Sequence, residues 1–101
     1  MQRLNKQFRL ARIALGLSQG EFANLVGIET FLICEIEEGE EIPREALNVT
    51  YATLLIIKEL IVNNQIEMSY NRKRVIFDFV EDLNEMLKLS IVSRLKGCVY
   101  S

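Results

Sequence analysis

Residues 18–39 decide the fold of this chain, and they read SQGEFANLVGIETFLICEIEEG. Phe22 and Val26 recur at helical spacing, and so do Ile33 and Ile36. Gly27 lies between the two runs, where a residue that readily adopts positive φ allows a tight turn. The stretch therefore predicts two short helices that meet at a steep angle.

The boundaries of these two helices can also be predicted from the sequence. Ser18 is a typical N-cap, and Glu21 stands three positions later, which is the spacing of a reciprocal capping box. Ala23 is the small residue that a close helix–helix contact requires. The second helix is expected to begin at Glu29 or Thr30.

The motif resembles the Cro/repressor-like (xenobiotic-response-element) helix-turn-helix family over roughly residues 5–60. The resemblance implies a five-helix DNA-binding domain. It also implies that Arg12 and Glu37 form the family's partly buried structural ion pair. The matching residues are Gly16-Leu17-Ser18-Gln19, Ala23, Gly27, Ile36-Glu37-x-Gly39 and Pro43.

Outside the motif, the apolar spacing predicts further helices. The first runs from about residue 3 to 15, and another begins near Arg44 and is apolar on nearly every side, so we expect both of its faces to be covered. A long apolar stripe predicts a C-terminal helix over about 74–96. Residues 65–79 have an alternative interpretation as a short hairpin around Asn71 and Arg72.

The predicted fold class is therefore all-α: a five-helix repressor-like helix-turn-helix domain with an added C-terminal helix. The helix-turn-helix domain is expected over residues 1–62. Residues 63–101 are expected to form a helical extension, either packed on the same core or forming the seam of a homodimer.

Composition excludes several classes of function. The 101 residues include two cysteines and no histidine, so a disulfide framework, a zinc-ligand cluster and histidine acid–base catalysis all lack their residues. We expect no enzyme activity, metal or cofactor. The longest apolar run is too short to span a bilayer, and the N-terminus has no signal-peptide core, so the expected location is the cytoplasm, with no membrane partner.

The resemblance implies a set of groove-facing positions around the second motif helix. Base reading normally uses Arg, Lys, Asn and Gln side chains, and DNA affinity comes chiefly from cations that neutralise phosphates. The N-terminal helix supplies Arg3, Lys6 and Arg9 as candidate phosphate contacts, and Arg44 is a fourth candidate. The candidate DNA- or partner-binding residues are Gln19, Glu29, Thr30, Phe31, Leu32, Cys34, Glu35 and Glu38.

The charge of this region is unusual for a DNA-binding surface. Residues 29–45 contain seven glutamates and one arginine. Phe31 and Leu32 cannot both turn inward when Ile33 and Ile36 already do, so at least one of them should stand in water unless a partner covers it.

Two functions follow from these observations. The first is a small DNA-binding transcriptional regulator of the repressor-like family, from a mobile element or a toxin–antitoxin system, that binds double-stranded DNA as a homodimer. The alternative is a helix-turn-helix scaffold that has become a protein-interaction module, similar to an antirepressor or an inhibitor. In that case the acidic and apolar second motif helix would bind a protein and no longer bind DNA.

Overall fold

The computed structural model describes the backbone of residues 3–100 and the side chains of residues 3–97. This part of the chain is all-α, with five helices and no strand. No separate helix intervenes between the fourth helix and the C-terminal one. The helices are α1 (Arg3–Ala14), α2 (Gln19–Val26), α3 (Thr30–Glu37), α4 (Arg44–Val62) and α5 (Tyr70–Tyr100).

The predicted capping residues delimit α2. Ser18 Oγ accepts a hydrogen bond from the Glu21 backbone N–H (3.1 Å), and Glu21 Oε1 accepts one from the Ser18 backbone N–H (2.8 Å). Gly27 ends α2 in the left-handed conformation with φ of 84°, and its N–H donates to Ala23 O. These local interactions fix the turn that leads into α3.

A single core joins all five helices. Phe8 of α1, Phe22 of α2 and Ile33 of α3 are fully buried, and so are Leu54 of α4 and Phe79 of α5. The rings of Phe8 and Phe79 meet edge to face with centroids 5.1 Å apart, a favoured aromatic geometry. The C-terminal helix therefore packs on the same core as α2 and α3, mainly against α1 and α4.

The hairpin alternative for residues 65–79 is wrong. Residues 70–79 are helical and belong to α5, which begins four residues earlier than predicted. Ile76, Phe79, Val80 and Leu83 are all buried, and their spacing is that of one helix face. The chain reverses instead at residues 63–69, where Asn64 adopts a positive φ of 59°.

The expectation that α4 is covered on both faces is met only in part. The helix contacts both α2 and α5, and Leu54 and Ile57 are buried against the core. Leu55, Ile56 and Val62 are nevertheless exposed, on a side of α4 that the described helices leave uncovered. The apolar residues on that side therefore remain in contact with solvent.

A long-range hydrogen bond joins α5 to the end of α1. Arg72 Nε donates to the Ala14 carbonyl oxygen at 2.6 Å, which satisfies one of the carbonyl groups that a helix leaves without an intrahelical partner. Gly16, two residues after the end of α1, has a positive φ of 72°. The helix ends at Ala14, one residue before the predicted end at residue 15. The start of α5 thus fixes the exit of α1.

None of the helices among the described residues combines the length and the apolar character needed to cross a membrane.

The capping box predicts a pH-dependent contribution to stability. The hydrogen bond from the Ser18 backbone N–H, with a smaller contribution from the Ser18 side chain, lowers the pKa of Glu21 below its ordinary value. This contribution is therefore present above the ordinary pKa and is lost as the pH falls through the lowered one. In Glu21→Gln, which keeps a hydrogen-bond acceptor without the charge, the free energy of unfolding should fall less steeply than in the wild type between about pH 5 and pH 3.

Urea unfolding followed by circular dichroism across this pH range measures the difference. Glu45→Gln is the matched control, because Glu45 lies in the first turn of α4, where no side chain caps the helix. Equal pH slopes for the wild type and Glu21→Gln would contradict the prediction.

Candidate functional site

The second motif helix, α3, is held by its apolar face and by its C-terminus. Ile33 and Ile36 are fully buried. Asn5, itself buried in α1, donates from Nδ2 to the carbonyl oxygens of Ile36 and Glu40, both at 2.8 Å. Because these carbonyls lie at and beyond the end of α3, Asn5 ties the C-terminus of α3 to α1.

Phe31 is the most exposed apolar residue of α3. Its exposed fraction is 61%, whereas its neighbour Leu32 is half-buried against the core. The prediction that one of the two stands in solvent is therefore confirmed, and the exposed residue is Phe31. A large aromatic ring in this position presents apolar area that a partner could cover.

The solvent-facing side of α3 is acidic. Glu29, Glu35 and Glu38 are exposed, together with Thr30. None of the three carboxylates forms an ion pair with any residue that the structure describes. The helix itself contains no lysine or arginine, so its surface combines negative charge with the ring of Phe31.

Arg12 and Glu37 form a two-pronged ion pair between α1 and the end of α3. Arg12 Nε donates to Glu37 Oε2 at 2.7 Å and Nη2 donates to Oε1 at 3.0 Å, while Nη1 donates to the Leu17 carbonyl at 3.0 Å. The side chains are only 16% and 7% exposed. The hydrogen bond to Glu37 raises the pKa of the Arg12 guanidinium above its ordinary value.

Two of the predicted binding residues belong to this buried network. Gln19 Nε2 donates to Glu37 Oε1 at 3.3 Å, and the Cys34 thiol donates to Gln19 Oε1 at 3.1 Å. Both side chains are half-buried. The polar atoms that Gln19 would offer to a base edge therefore already have partners within the protein.

Three of the four cationic candidates lie on α1 and the fourth begins α4, and of these four Arg3 alone forms an ion pair with a described residue. Arg3 Nε donates to Asp82 Oδ2 at 2.8 Å, which directs it toward α5. Lys6 and Arg9 are exposed, and their spacing from Arg3 gives all three the same outer face of α1. Arg44 is exposed at the first residue of α4.

Sequence reasoning did not identify Asn5 as part of the site. The signal for Asn5 in the sequence is its position, because it stands three residues before Phe8 and so shares the buried side of α1. Among the described residues, no group of three or more His, Cys, Asp or Glu side chains is arranged to hold a metal ion.

Comparison of the chain with protein-family models, with curated proteins and with solved structures finds no match.

The Arg12–Glu37 pair predicts a large loss of stability when one partner is removed. Arg12→Ala leaves the mostly buried Glu37 carboxylate without its main partner, which should lower the free energy of unfolding by about 3 kcal/mol. Urea unfolding at neutral pH measures this loss. Arg9→Ala, an exposed position on the same helix, is the control and should change stability by less than about 0.5 kcal/mol.

Replacing both partners with apolar residues shows whether Arg12→Ala loses stability because a charge is left unpaired or because packing is lost. The double variant Arg12→Met with Glu37→Leu should recover much of the stability lost in Arg12→Ala, because no buried charge is left without a partner. If Arg12→Ala were as stable as the wild type, the structural role of the ion pair would be contradicted.

Proposed function

We propose that this chain is a helix-turn-helix scaffold that acts as a protein-interaction module through the exposed face of α3. The observation that carries the proposal is Phe31, a large aromatic side chain 61% exposed and flanked by carboxylates with no cation on its helix. Exposed aromatic residues are enriched among the anchors of protein interfaces.

The charge of α3 opposes DNA as the ligand. Each carboxylate facing a phosphate at 6–8 Å is repelled by roughly 0.5–2 kcal/mol at intermediate effective dielectric. Three such groups, Glu29, Glu35 and Glu38, together approach the typical margin between specific and nonspecific binding. Gln19 does not compensate, since its amide is bonded to Glu37 and Cys34.

The same face suits a protein partner of definite chemistry. A surface with lysine or arginine side chains around an apolar pocket would pair with the carboxylates and enclose the Phe31 ring. The DNA-binding face of another protein has this charge, so the acidic helix could act there as a mimic of DNA. This chemistry supports an antirepressor-like or inhibitor-like role in the cytoplasm.

The second candidate is a DNA-binding transcriptional regulator of the repressor-like family, from a mobile element or a toxin–antitoxin system. The helix-turn-helix geometry favours it: a capped α2, a left-handed Gly27 and α3 held by Arg12 and Asn5. Lys6 and Arg9 are exposed and supply cations for phosphates, and Thr30 is an ordinary base-contacting residue.

The protein-binding proposal predicts a specific role for Phe31. Selection of the purified protein against a displayed random-peptide library should enrich peptides that combine Lys or Arg with large apolar residues. Phe31→Ala should weaken binding of an enriched peptide by about 30-fold, or about 2 kcal/mol, without unfolding the protein.

Leu25→Ala is the matched control for this experiment, because Leu25 is a similarly exposed apolar residue on α2. It should bind the same peptides as the wild type does. Peptides that bind the wild type and Phe31→Ala equally well would contradict the proposal, as would a Phe31→Ala protein that no longer folds.

Selection against a random duplex-DNA pool, at low and at physiological salt, distinguishes the two candidates. The protein-binding proposal predicts no enriched sequence at either salt concentration. An enriched palindromic motif would instead establish the regulator. In that case Glu35→Gln should tighten nonspecific binding, and Arg9→Ala should weaken it and reduce the slope of log affinity against log salt.

A further inference from the structure

The end of α5 extends beyond the helix that packs beside it. Lys58 Nζ of α4 lies 5.5 Å from the ring centroid of Phe77, and Tyr51 Oη donates to Asn84 Oδ1 at 3.1 Å. The two contacts are seven residues apart on each helix, so α4 and α5 run antiparallel in a constant register. Continuing that register places Arg44, the first residue of α4, level with residue 91 of α5.

This extension and the turns of α5 just before it carry large apolar residues that are exposed. We call residues 86–97 the α5 tail. Leu89 is 71% exposed, and every residue from 91 to 97 is exposed. A short helical segment without tertiary contacts is only marginally stable in water, and a cluster of exposed apolar side chains indicates an interface. The exposed apolar residues of the tail are Met86, Leu89, Ile91, Val92 and Leu95.

One face of α5 has the spacing of a helix-pairing seam. Asp82, Glu85, Leu89, Val92 and Lys96 are separated by three, four, three and four residues, the a and d spacing of a coiled coil. We call these five residues the α5 seam. Its charge is polarised, because the acids lie at its N-terminal end, the apolar pair in the middle and the lysine at its C-terminal end.

The acidic half of the seam borders an open groove. This groove has a volume of about 790 Å³ and lies between the start of α1, the segment after α3, and α5. Its acidic lining residues are Glu40, Glu41, Asp82 and Glu85, against Arg3 as the one basic lining residue. The α5 tail has the opposite charge, with Lys88, Arg94 and Lys96 and no acidic residue.

We propose that the α5 seam and the adjoining groove bind a second copy of this chain, with the two α5 helices antiparallel and Leu89 of each copy opposite Val92 of the other. This register also places Lys96 of one copy against Glu85 of the other, so that seam residues face seam residues at both ends. Glu85 is exposed and lines the groove.

The charges select this orientation over the parallel one. In a parallel pair each seam residue would face its own copy, so acids would oppose acids and lysine would oppose lysine. In the antiparallel pair the basic tail of each copy lies along the acidic groove of the other. The interface is self-complementary, as a twofold interface must be. It does not depend on the ligand of α3, because none of the seam residues lies on that helix.

Sedimentation velocity of the full chain over about 1–100 µM tests self-association. The wild type should form a dimer, and Leu89→Asp should weaken the dimer by at least about 30-fold while keeping the helical circular dichroism of the wild type. Ile56→Asp is the matched control, because Ile56 is comparably exposed on α4, and it should dimerise like the wild type. A wild type that remains monomeric, or a dimer that Leu89→Asp leaves unchanged, would overturn the proposal.

Disulfide trapping tests the orientation, in a background in which Cys34 and Cys98 are replaced by Ser. The double variant Glu85→Cys with Lys96→Cys should form a covalent dimer on mild oxidation, because residues 85 and 96 of different copies lie opposite each other. Glu85→Cys alone should remain monomeric on a non-reducing gel. Efficient crosslinking of Glu85→Cys alone would indicate a parallel pair and would overturn the antiparallel arrangement.

Discussion

The ion pair between Arg12 and Glu37 is the constraint on which the presentation of α3 depends. A guanidinium that bonds both oxygens of one carboxylate fixes distance and orientation together, and a third bond to the Leu17 carbonyl ties the same group to the segment before α2. Because Arg12 stands on α1, three helices share one rigid junction. Asn5, two turns earlier on α1, holds the same C-terminal end of α3 through the carbonyl oxygens of Ile36 and Glu40. The contacts that hold the buried face of α3 therefore determine the orientation of its exposed face.

This junction also explains the charge of the exposed face. Glu37 is the one acid of α3 whose charge is balanced inside the protein, and Gln19 and Cys34 are engaged around it. Glu35 on the same helix, with Glu29 and Glu38 at its two ends, faces solvent without a described counter-charge. The scaffold and the exposed surface therefore follow different requirements. A fold that positions a helix rigidly is useful for any ligand, and the side chains on that helix determine which ligand it suits.

Local patterns in the sequence were sufficient to predict the part of the fold that depends on local interactions. The spacing of Phe22, Val26, Ile33 and Ile36 predicts α2 and α3, and Ser18 with Glu21 predicts the cap, because these contacts involve near neighbours along the chain. The hydrogen bonds made by Asn5 and Arg72 join residues 31 and 58 positions apart, and no pattern in a single sequence specifies such pairs. The exposed side of α4 was misjudged for a related reason: apolar spacing shows which residues avoid water but does not show whether the chain has an element to cover them.

The two uncovered surfaces of this molecule differ in what they require of a partner. The α5 seam has acids at one end and a lysine at the other, so the charges of an antiparallel second copy are opposite to its own and neutralise them. The face of α3 is acidic throughout around Phe31, so a second α3 would oppose it with like charge, and only a ligand of different composition can neutralise it. Self-association through α3 is therefore disfavoured by the same electrostatics that favour it through α5. A dimer joined by α5 would keep both copies of α3 available, and any partner bound there would be engaged through two sites at once, which increases the overall affinity without any additional contact at either site.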